Sequence, residues 1–404
     1  MSEILPRTIA IVGTGVAGTT AALTLRKEGF GGRIVLIGDE PEEPYQRPPL
    51  SKNMLRHSAR PEAARLKPTS TWAEQDIELL TGTKVTGLDA DALRLADGSQ
   101  LPYDRLLLAT GGRARTLPQA VGLDHVHTLR TLGDVAALRA DLQPGGPLLV
   151  VGAGLVGLEV AATARAMGCQ VTVLESSLQP LGRVLPARLR QEVMELHRAH
   201  GVRIHTDVRL ERLDRHGDTL VATDHEGTLW EAQTVLVAVG MTPETTLARQ
   251  AGLDLADGIV VDAYGTTSAP HIYAAGDVAC HPDAILRQRV RIEQWNHAQE
   301  HGAAVAVNML PGNHRPYDAV PWGWTNQYGV NLQICGHPAQ ADELIVQGGL
   351  TDFDFAAAAY RSGRLIGGIA AGRPVDFRAL RRLVAEHSRD DGLLTAETDR
   401  GACP

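Results

Sequence analysis

Two stretches of this chain carry the same order of residues, and that repeat limits the available folds more than any other feature. The first, TIAIVGTGVAGTTAALTLRKEG, runs an apolar strand into Gly13, Gly15 and Gly18 and then into an Ala- and Leu-rich helix. The first glycine permits a sharp turn, the second lets backbone approach a pyrophosphate, and the third lets helix pack on strand. The helix then faces phosphate with unpaired N–H groups and the positive end of its dipole. The next strand, GRIVLIGDE, sets Asp39 26 positions after Gly13, where a carboxylate accepts hydrogen bonds from a ribose. The pattern returns in GPLLVVGAGLVGLEVAATARAMG, with Gly152, Gly154 and Gly157, and CQVTVLESS sets Glu175 23 positions after Gly152. With 42 glycines in 404 residues, chance supplies on the order of 0.4 bare GxGxxG matches. Two complete strand–glycine–helix–strand–acid units are a different matter, and one chain is expected to bind two dinucleotides. Their separation of 139 residues (152 minus 13) is that of a domain, not of a solenoid repeat.

A chain of 404 residues is long enough for two or three domains. Its net charge of −8 argues against general nucleic-acid binding, which needs a surplus of Lys and Arg. No apolar run of membrane-spanning length occurs. Residues 1–7 lead directly into a strand without the charged and apolar regions of a secretion signal, so a cytoplasmic protein is expected. Cys169, Cys280, Cys335 and Cys403 are scattered, without CxxC or metal-ligand spacing, and read as ordinary thiols; no metal site is expected.

Further along, LPYDRLLLATGG ends a buried-strand pattern at Thr110, Gly111 and Gly112, TVLVAVGMTPET ends another near Gly240 and Pro243, and APHIYAAGDVA turns at Gly276 and Asp277. By itself Asp277 reads first as the cap of a following helix. In this order the two glycine units, ATG and AGD resemble the two-dinucleotide flavoprotein reductases. The resemblance implies an α/β fold of two nested Rossmann-like dinucleotide-binding domains plus a C-terminal α+β domain. FAD would occupy a discontinuous domain, residues 1–112 and 245–318, NAD an inserted domain, 113–244, and residues 319–404 would form the third. It also implies that Asp277 bonds the ribityl chain of FAD.

The segment GDEPEEPYQRPPLSKNML narrows the resemblance to the ferredoxin reductases that serve bacterial oxygenases. In them the Arg and Lys of RPPLSK, here Arg47 and Lys52, touch the flavin nucleotide; without the family, both read as solvated cations on a Pro-stiffened loop. HTLRTLGDVAALR supplies Arg130, VGLEVAATAR supplies Glu159, and RIEQWNHAQEHGAAVA supplies Glu293, Trp295 and Asn296. Ala17, Val85, Leu155, Val156, Arg183, Gly240 and Trp324 complete the cofactor-binding positions that the resemblance implies. VPWGWTNQYGVNLQICG resembles the family's opening of the C-terminal domain but has Thr325 and Asn326 where the family has Ser and Asp. Trp322 and Trp324, two apart, read also as core packing on one strand face.

No GxSxG and no HExxH supplies a nucleophile, so the chemistry belongs to the cofactor. The resemblance places Lys52 at the flavin's hydride-accepting edge with Glu159 beside it, a catalytic pair in which the cation stabilises negative charge on the ring. Glu159 also reads as a first-turn acid complementing its helix dipole. The expected function is hydride transfer from NADH to FAD and single-electron transfer to a [2Fe–2S] ferredoxin, and through it to a terminal oxygenase. The expected oligomeric state is a monomer or weak homodimer, without nucleic-acid or membrane partners. Alternatives on the same fold are a rubredoxin reductase, an NADH oxidase-like enzyme, a disulfide reductase and a protein like apoptosis-inducing factor. Residues 361–382 contain six Arg against Asp376 alone, and Arg287, Arg289 and Arg291 alternate, so a basic docking surface beside the Trp pair is also expected.

Overall fold

Each glycine unit builds the centre of a parallel sheet. In the computed structural model, which describes residues 5–57, 60–142 and 145–390, strand Thr8–Val12 lies between Arg33–Ile37 and Arg105–Leu108. Ile77–Leu80 forms one edge of this five-stranded sheet, and Ile272–Ala274, from far along the chain, forms the other. The second sheet repeats the plan around Pro147–Val151, flanked by Gln170–Glu175 and Thr234–Val237, with Arg203–Thr206 and Val126–His127 at its edges. Parallel sheets are covered on both faces, which is why their central strands are unbroken runs of Ile, Val and Leu.

The chain passes between these sheets along two short strands, Gly112–Ala114 and Met241–Pro243, paired antiparallel. The Thr110 hydroxyl donates to the Glu244 carbonyl (2.7 Å) and Arg113 pairs with the Glu244 carboxylate, fastening the crossing. A third five-stranded sheet, antiparallel throughout, runs in the order Trp322–Gln327, Val330–Gly336, Arg364–Ala371, Asp354–Arg361, Glu343–Gly349. Helix Pro374–Asp390 covers it through Phe377 and Val384.

One apolar core ties the site region together. It joins Leu50, Met54 and Leu55 of the RPPLSK segment to Leu158 and Ala161 of the second glycine helix and to Leu332, Ile334 and Phe355 of the third sheet. Among the described residues no helix is long and apolar enough to cross a membrane.

Candidate flavin and nicotinamide site

The two glycine turns have the shape that phosphate binding requires. Gly13 has φ +116°, and a Cβ there would lie 2.1 Å from the Ala109 carbonyl oxygen. A Cβ at Gly18 would lie 2.0 Å from the Gly13 carbonyl oxygen, so helix Val16–Lys27 meets its strand at backbone distance. Gly152 and Gly157 repeat both contacts, against Ala238 and Gly152. Gly15 and Gly154, by contrast, face open space, and each precedes a helix with no side-chain cap and no acid in its first turn. Both helix starts, the second opening on Leu155 and the exposed Val156, thus present unpaired N–H donors that suit a pyrophosphate.

Acidic partners stand where the pattern expects them. Asp39 is exposed just beyond strand Arg33–Ile37. Its neighbour Glu40 is engaged instead: it accepts from Tyr45 and pairs with Arg47 at 2.6 Å. Glu175 is set beside the second glycine turn, accepting from the Ala153 N–H at 2.7 Å and the Ser177 N–H at 2.8 Å. Arg183 reaches toward Gly240, where a Cβ would lie 3.6 Å from its Nη2.

A second group of residues closes around the first unit. Arg47 also donates to the Arg130 carbonyl, and Arg130 Nη2 pairs with Asp277 at 3.2 Å beside Gly111. Asp277 lies inside the tight turn Gly276–Val278 and caps no helix there. Gly276 has φ +77°, and a Cβ on it would lie 2.8 Å from that of Ala17. Trp295 opens helix Trp295–Asn308 and meets Trp324 edge-on at 6.2 Å, while Trp324 lies 6.2 Å from Trp322. Val85 begins a small antiparallel strand, and Glu293 is exposed and paired with Arg291. Arg130 Nε, Gln294 Oε1, Trp295 Nε1 and Asn296 Nδ2 are buried without a partner among the described residues. Such orphaned donors and acceptors are costly in a finished core and fit a polar ring system bound against them.

Lys52 and Glu159 meet where the first unit, the second unit and the third sheet converge. Lys52 Nζ donates to Glu159 Oε2 at 2.6 Å, and also to the Pro48 carbonyl at 3.1 Å. The Ser51 hydroxyl donates to the same carboxylate oxygen, and Thr325 Oγ1 donates to the other, Oε1, at 2.6 Å. Thr163 ties the Ser51 carbonyl to the second glycine helix at 2.7 Å. Glu159 is 6 % exposed and lies beyond the first turn of helix Leu155–Ala166, so the dipole-complementing reading fails. A carboxylate buried among three donors is instead the partner that lets a largely buried ammonium keep its charge.

Two further expectations change. The arginines of the 361–382 segment form a smaller basic excess than their count suggests: Arg373 pairs with Asp354, Arg381 with Glu300 and Arg382 with Glu386, and Arg364 donates to the Ile285 carbonyl, while Arg361 and Arg378 are exposed. Arg289 is buried against the Val261 carbonyl, and Arg291 pairs with Asp257 and Glu293. Summing charge along the chain misses carboxylates that other segments bring alongside. Cys169 and Cys335 are buried thiols, burial pushing Cys335 up to about 12, but Cys280 is disulfide-bonded and is not the ordinary thiol expected. Cys403 lies outside the described residues.

Residues 7–302 match the pyridine nucleotide-disulphide oxidoreductase family, and residues 322–399 match the reductase C-terminal domain. The chain belongs to the pyridine nucleotide-disulphide oxidoreductase family. Rhodocoxin reductase of Rhodococcus erythropolis is 37% identical over 97% of this chain and 92% of its own length. The ferredoxin–NAD(+) reductase component of the p-cumate 2,3-dioxygenase system of Pseudomonas putida is 38% identical over 96% of each. The reductase in the solved covalent putidaredoxin reductase–putidaredoxin complex superposes with a TM-score of 0.89 at 35% identity, covering 94% of this chain and 93% of that one. This family member is therefore an FAD- and NAD(H)-using oxidoreductase with the expected two-dinucleotide fold. Glu40, Tyr45, Ser51 and Thr163 support the site without any local signal in the sequence that marks their bonds; the GDEPEEPYQRPPLSK run pointed only to the region of the first three.

Proposed function

We propose that the chain is an NADH:ferredoxin reductase, taking hydride from NADH onto FAD and passing single electrons to a [2Fe–2S] ferredoxin that serves a haem-thiolate monooxygenase or Rieske dioxygenase. The observation that carries this reading is the buried Lys52–Glu159 pair at the junction of both nucleotide units, with no cysteine in the first glycine helix to accept electrons instead. Curated relatives named as ferredoxin reductase components of oxygenase systems support it.

FAD, when bound, supplies the conversion between a two-electron donor and a one-electron acceptor. The protein's part is orientation and charge. The two uncapped helix starts hold the pyrophosphates, Asp39 and Glu175 take the riboses, and Arg47, Arg130 and Asp277 hold the flavin nucleotide. Lys52 keeps its ammonium group at a fixed place through Glu159, so the charge that stabilises a reduced ring needs no reorganisation during transfer. Trp324 and the half-buried Trp322 lead from Trp295 toward the surface, where Arg381 lies 5.1 Å over the Trp322 ring and where we place the ferredoxin. The donor is a cytoplasmic metabolite, and we place the protein in the cytoplasm.

The test uses the purified yellow protein under anaerobic conditions. NADH should bleach it, and cytochrome c should be reduced only after a [2Fe–2S] ferredoxin is added. Bleaching without ferredoxin-dependent cytochrome c reduction, across several oxygenase ferredoxins, would overturn the reading.

A further inference from the structure

The Lys52–Glu159 pair does not end at Thr325. Gln327 Nε2 lies 3.0 Å from Thr325 Oγ1, Gln327 Oε1 lies 2.6 Å from His197 Nε2, and His197 Nδ1 lies 3.2 Å from the Tyr328 hydroxyl. Glu159, Thr325, Gln327 and His197 are all buried, His197 completely. Tyr328 reaches the edge of the chain of bonds, where the exposed His200 stacks on its ring at 3.8 Å. We propose that Thr325, Gln327, His197 and Tyr328 are positioning residues: a one-way hydrogen-bond chain that fixes Glu159 against Lys52 and fastens the flavin-tuning pair to the strand carrying the Trp pair. The proposal rests on the reading that Lys52 and Glu159 lie at the flavin.

The direction of every bond follows from the first. A carboxylate paired with Lys52 only accepts, so the Thr325 hydroxyl must donate to it and is left with lone pairs for its other neighbour. Gln327 must therefore turn its NH2 to Thr325 and its carbonyl to His197. That carbonyl requires an N–H on His197 Nε2, which leaves Nδ1 as a lone pair, and Tyr328 must donate to it. Four donors thus point the same way, each polarising the next, and all end on one carboxylate oxygen. The imidazole is neutral, as this order demands: burial, only partly offset by the bond to Gln327, lowers His197 to about 4. The Gln327 amide passes no proton, so the chain holds and orients rather than conducts.

The backbone adds an independent sign. Gln327 pairs with Val330, leaving Tyr328 and Gly329 as a two-residue hairpin loop with φ +51° and +82°. Such a turn favours Asn-Gly, and an aromatic residue is held in the left-handed region only against strain. Here the strained residue is the one whose hydroxyl begins the chain. The three elements joined are helix Ala187–Ala199, helix Leu155–Ala166 and strand Trp322–Gln327.

Thr325→Val removes the donor at constant shape, Thr325→Ser restores it, and Gln327→Leu cuts the chain one step further out. All are made in the FAD-loaded protein. Thr325→Val is expected to lower the limiting rate of anaerobic bleaching by NADH about tenfold while leaving the apparent Kd for NADH within twofold, with Thr325→Ser close to wild type. The flavin midpoint potential, read by chemical reduction without NADH, and the visible flavin absorption band should both move in Thr325→Val and Gln327→Leu and return in Thr325→Ser. Wild-type potential, spectrum and limiting rate in both Thr325→Val and Gln327→Leu would overturn the proposal, as would a Thr325→Ser protein as impaired as Thr325→Val. Should Thr325→Val not fold, Gln327→Leu and Tyr328→Phe carry the same test, the latter with a smaller shift in the same direction. A wild-type protein that binds FAD but is not bleached by NADH would instead sink the reading of function, and the potentials would still decide the positioning role.

Discussion

Lowering the pH from 7 to 5 should destabilise the folded protein, and His197 sets a scale for the loss. Burial holds its imidazole at about 4, against an ordinary value of 6.5. A group whose folded value is depressed contributes stability above its unfolded value, and that stability drains away as pH falls toward the folded value. At pH 7 the unfolded chain binds little more proton at this site than the folded one; at pH 5 it is almost fully protonated while the folded site is not. Integrating the difference gives a loss of about 2 kcal/mol from this residue alone. His281, His297 and His301, stacked among themselves and Tyr317 beneath the Gly276 turn, are also lowered by burial, His301 further by the charge of His281 and His297 by those of His281, His301 and His337; they add in the same direction. Carboxylates act in another window. Burial pushes Asp283 up, but the His337 charge and hydrogen bond outweigh it, so it takes its proton below its usual range near 3.8. Urea unfolding of the FAD-loaded protein at pH 5, 6 and 7, followed by Trp fluorescence, measures the slope. His197→Gln keeps a donor and an acceptor but cannot titrate, so it should lose about 2 kcal/mol less than wild type across this interval. Equal losses in the two proteins would show that a neutral, buried imidazole at 197 is not a source of acid sensitivity.

Lys52→Met should retain FAD and yet slow flavin reduction by NADH by at least about tenfold, because the nucleotide has other anchors while the ring loses its fixed cation; stopped-flow bleaching at an unchanged rate would return Lys52 to a structural role. NADH should be preferred over NADPH, since the Glu175 carboxylate beside the second glycine turn repels a 2′-phosphate and Arg183 is turned toward Gly240; comparable kcat/KM values for the two would refute this. Reduction of an acidic ferredoxin should fall with added salt on the order of threefold, not by decades, because Arg373, Arg381 and Arg382 already face carboxylates and the exposed Arg378 carries much of what remains. A small neutral quinone should barely respond, and equal salt dependence for both acceptors would remove the docking surface.

The parts of this site that the sequence makes legible are those whose geometry is local. A turn that must approach a phosphate needs its glycines within six residues, and the ribose acid follows on the next strand, so both nucleotide units can be read without knowing the rest of the chain. Lys52 and Glu159 are 107 positions apart, and only resemblance to a family brings them together before the structure does. Nothing local marks the bonds that continue from Glu159. Thr325 and Gln327 look like ordinary polar strand residues, and His197 like one more polar residue on a surface helix, because the rule that polar side chains face water holds in most strands and helices.

Strand Trp322–Gln327 inverts that rule, and the inversion can be seen in its alternation. Trp322, Trp324 and Asn326 share one face and are half-buried or exposed, whereas Thr325 and Gln327 share the other and are buried. The Trp face is half-buried, Trp322 against Phe377 and Trp324 against Trp295, whereas the fully buried face is the polar one, an order that packing alone does not explain. The buried face meets the Glu159 carboxylate through its hydroxyl and amide, and under the proposed function the Trp face is where the acceptor would dock. The pattern to look for in a chain of this kind is therefore not a conspicuous motif but a pair of buried polar residues alternating with half-buried aromatics on one strand.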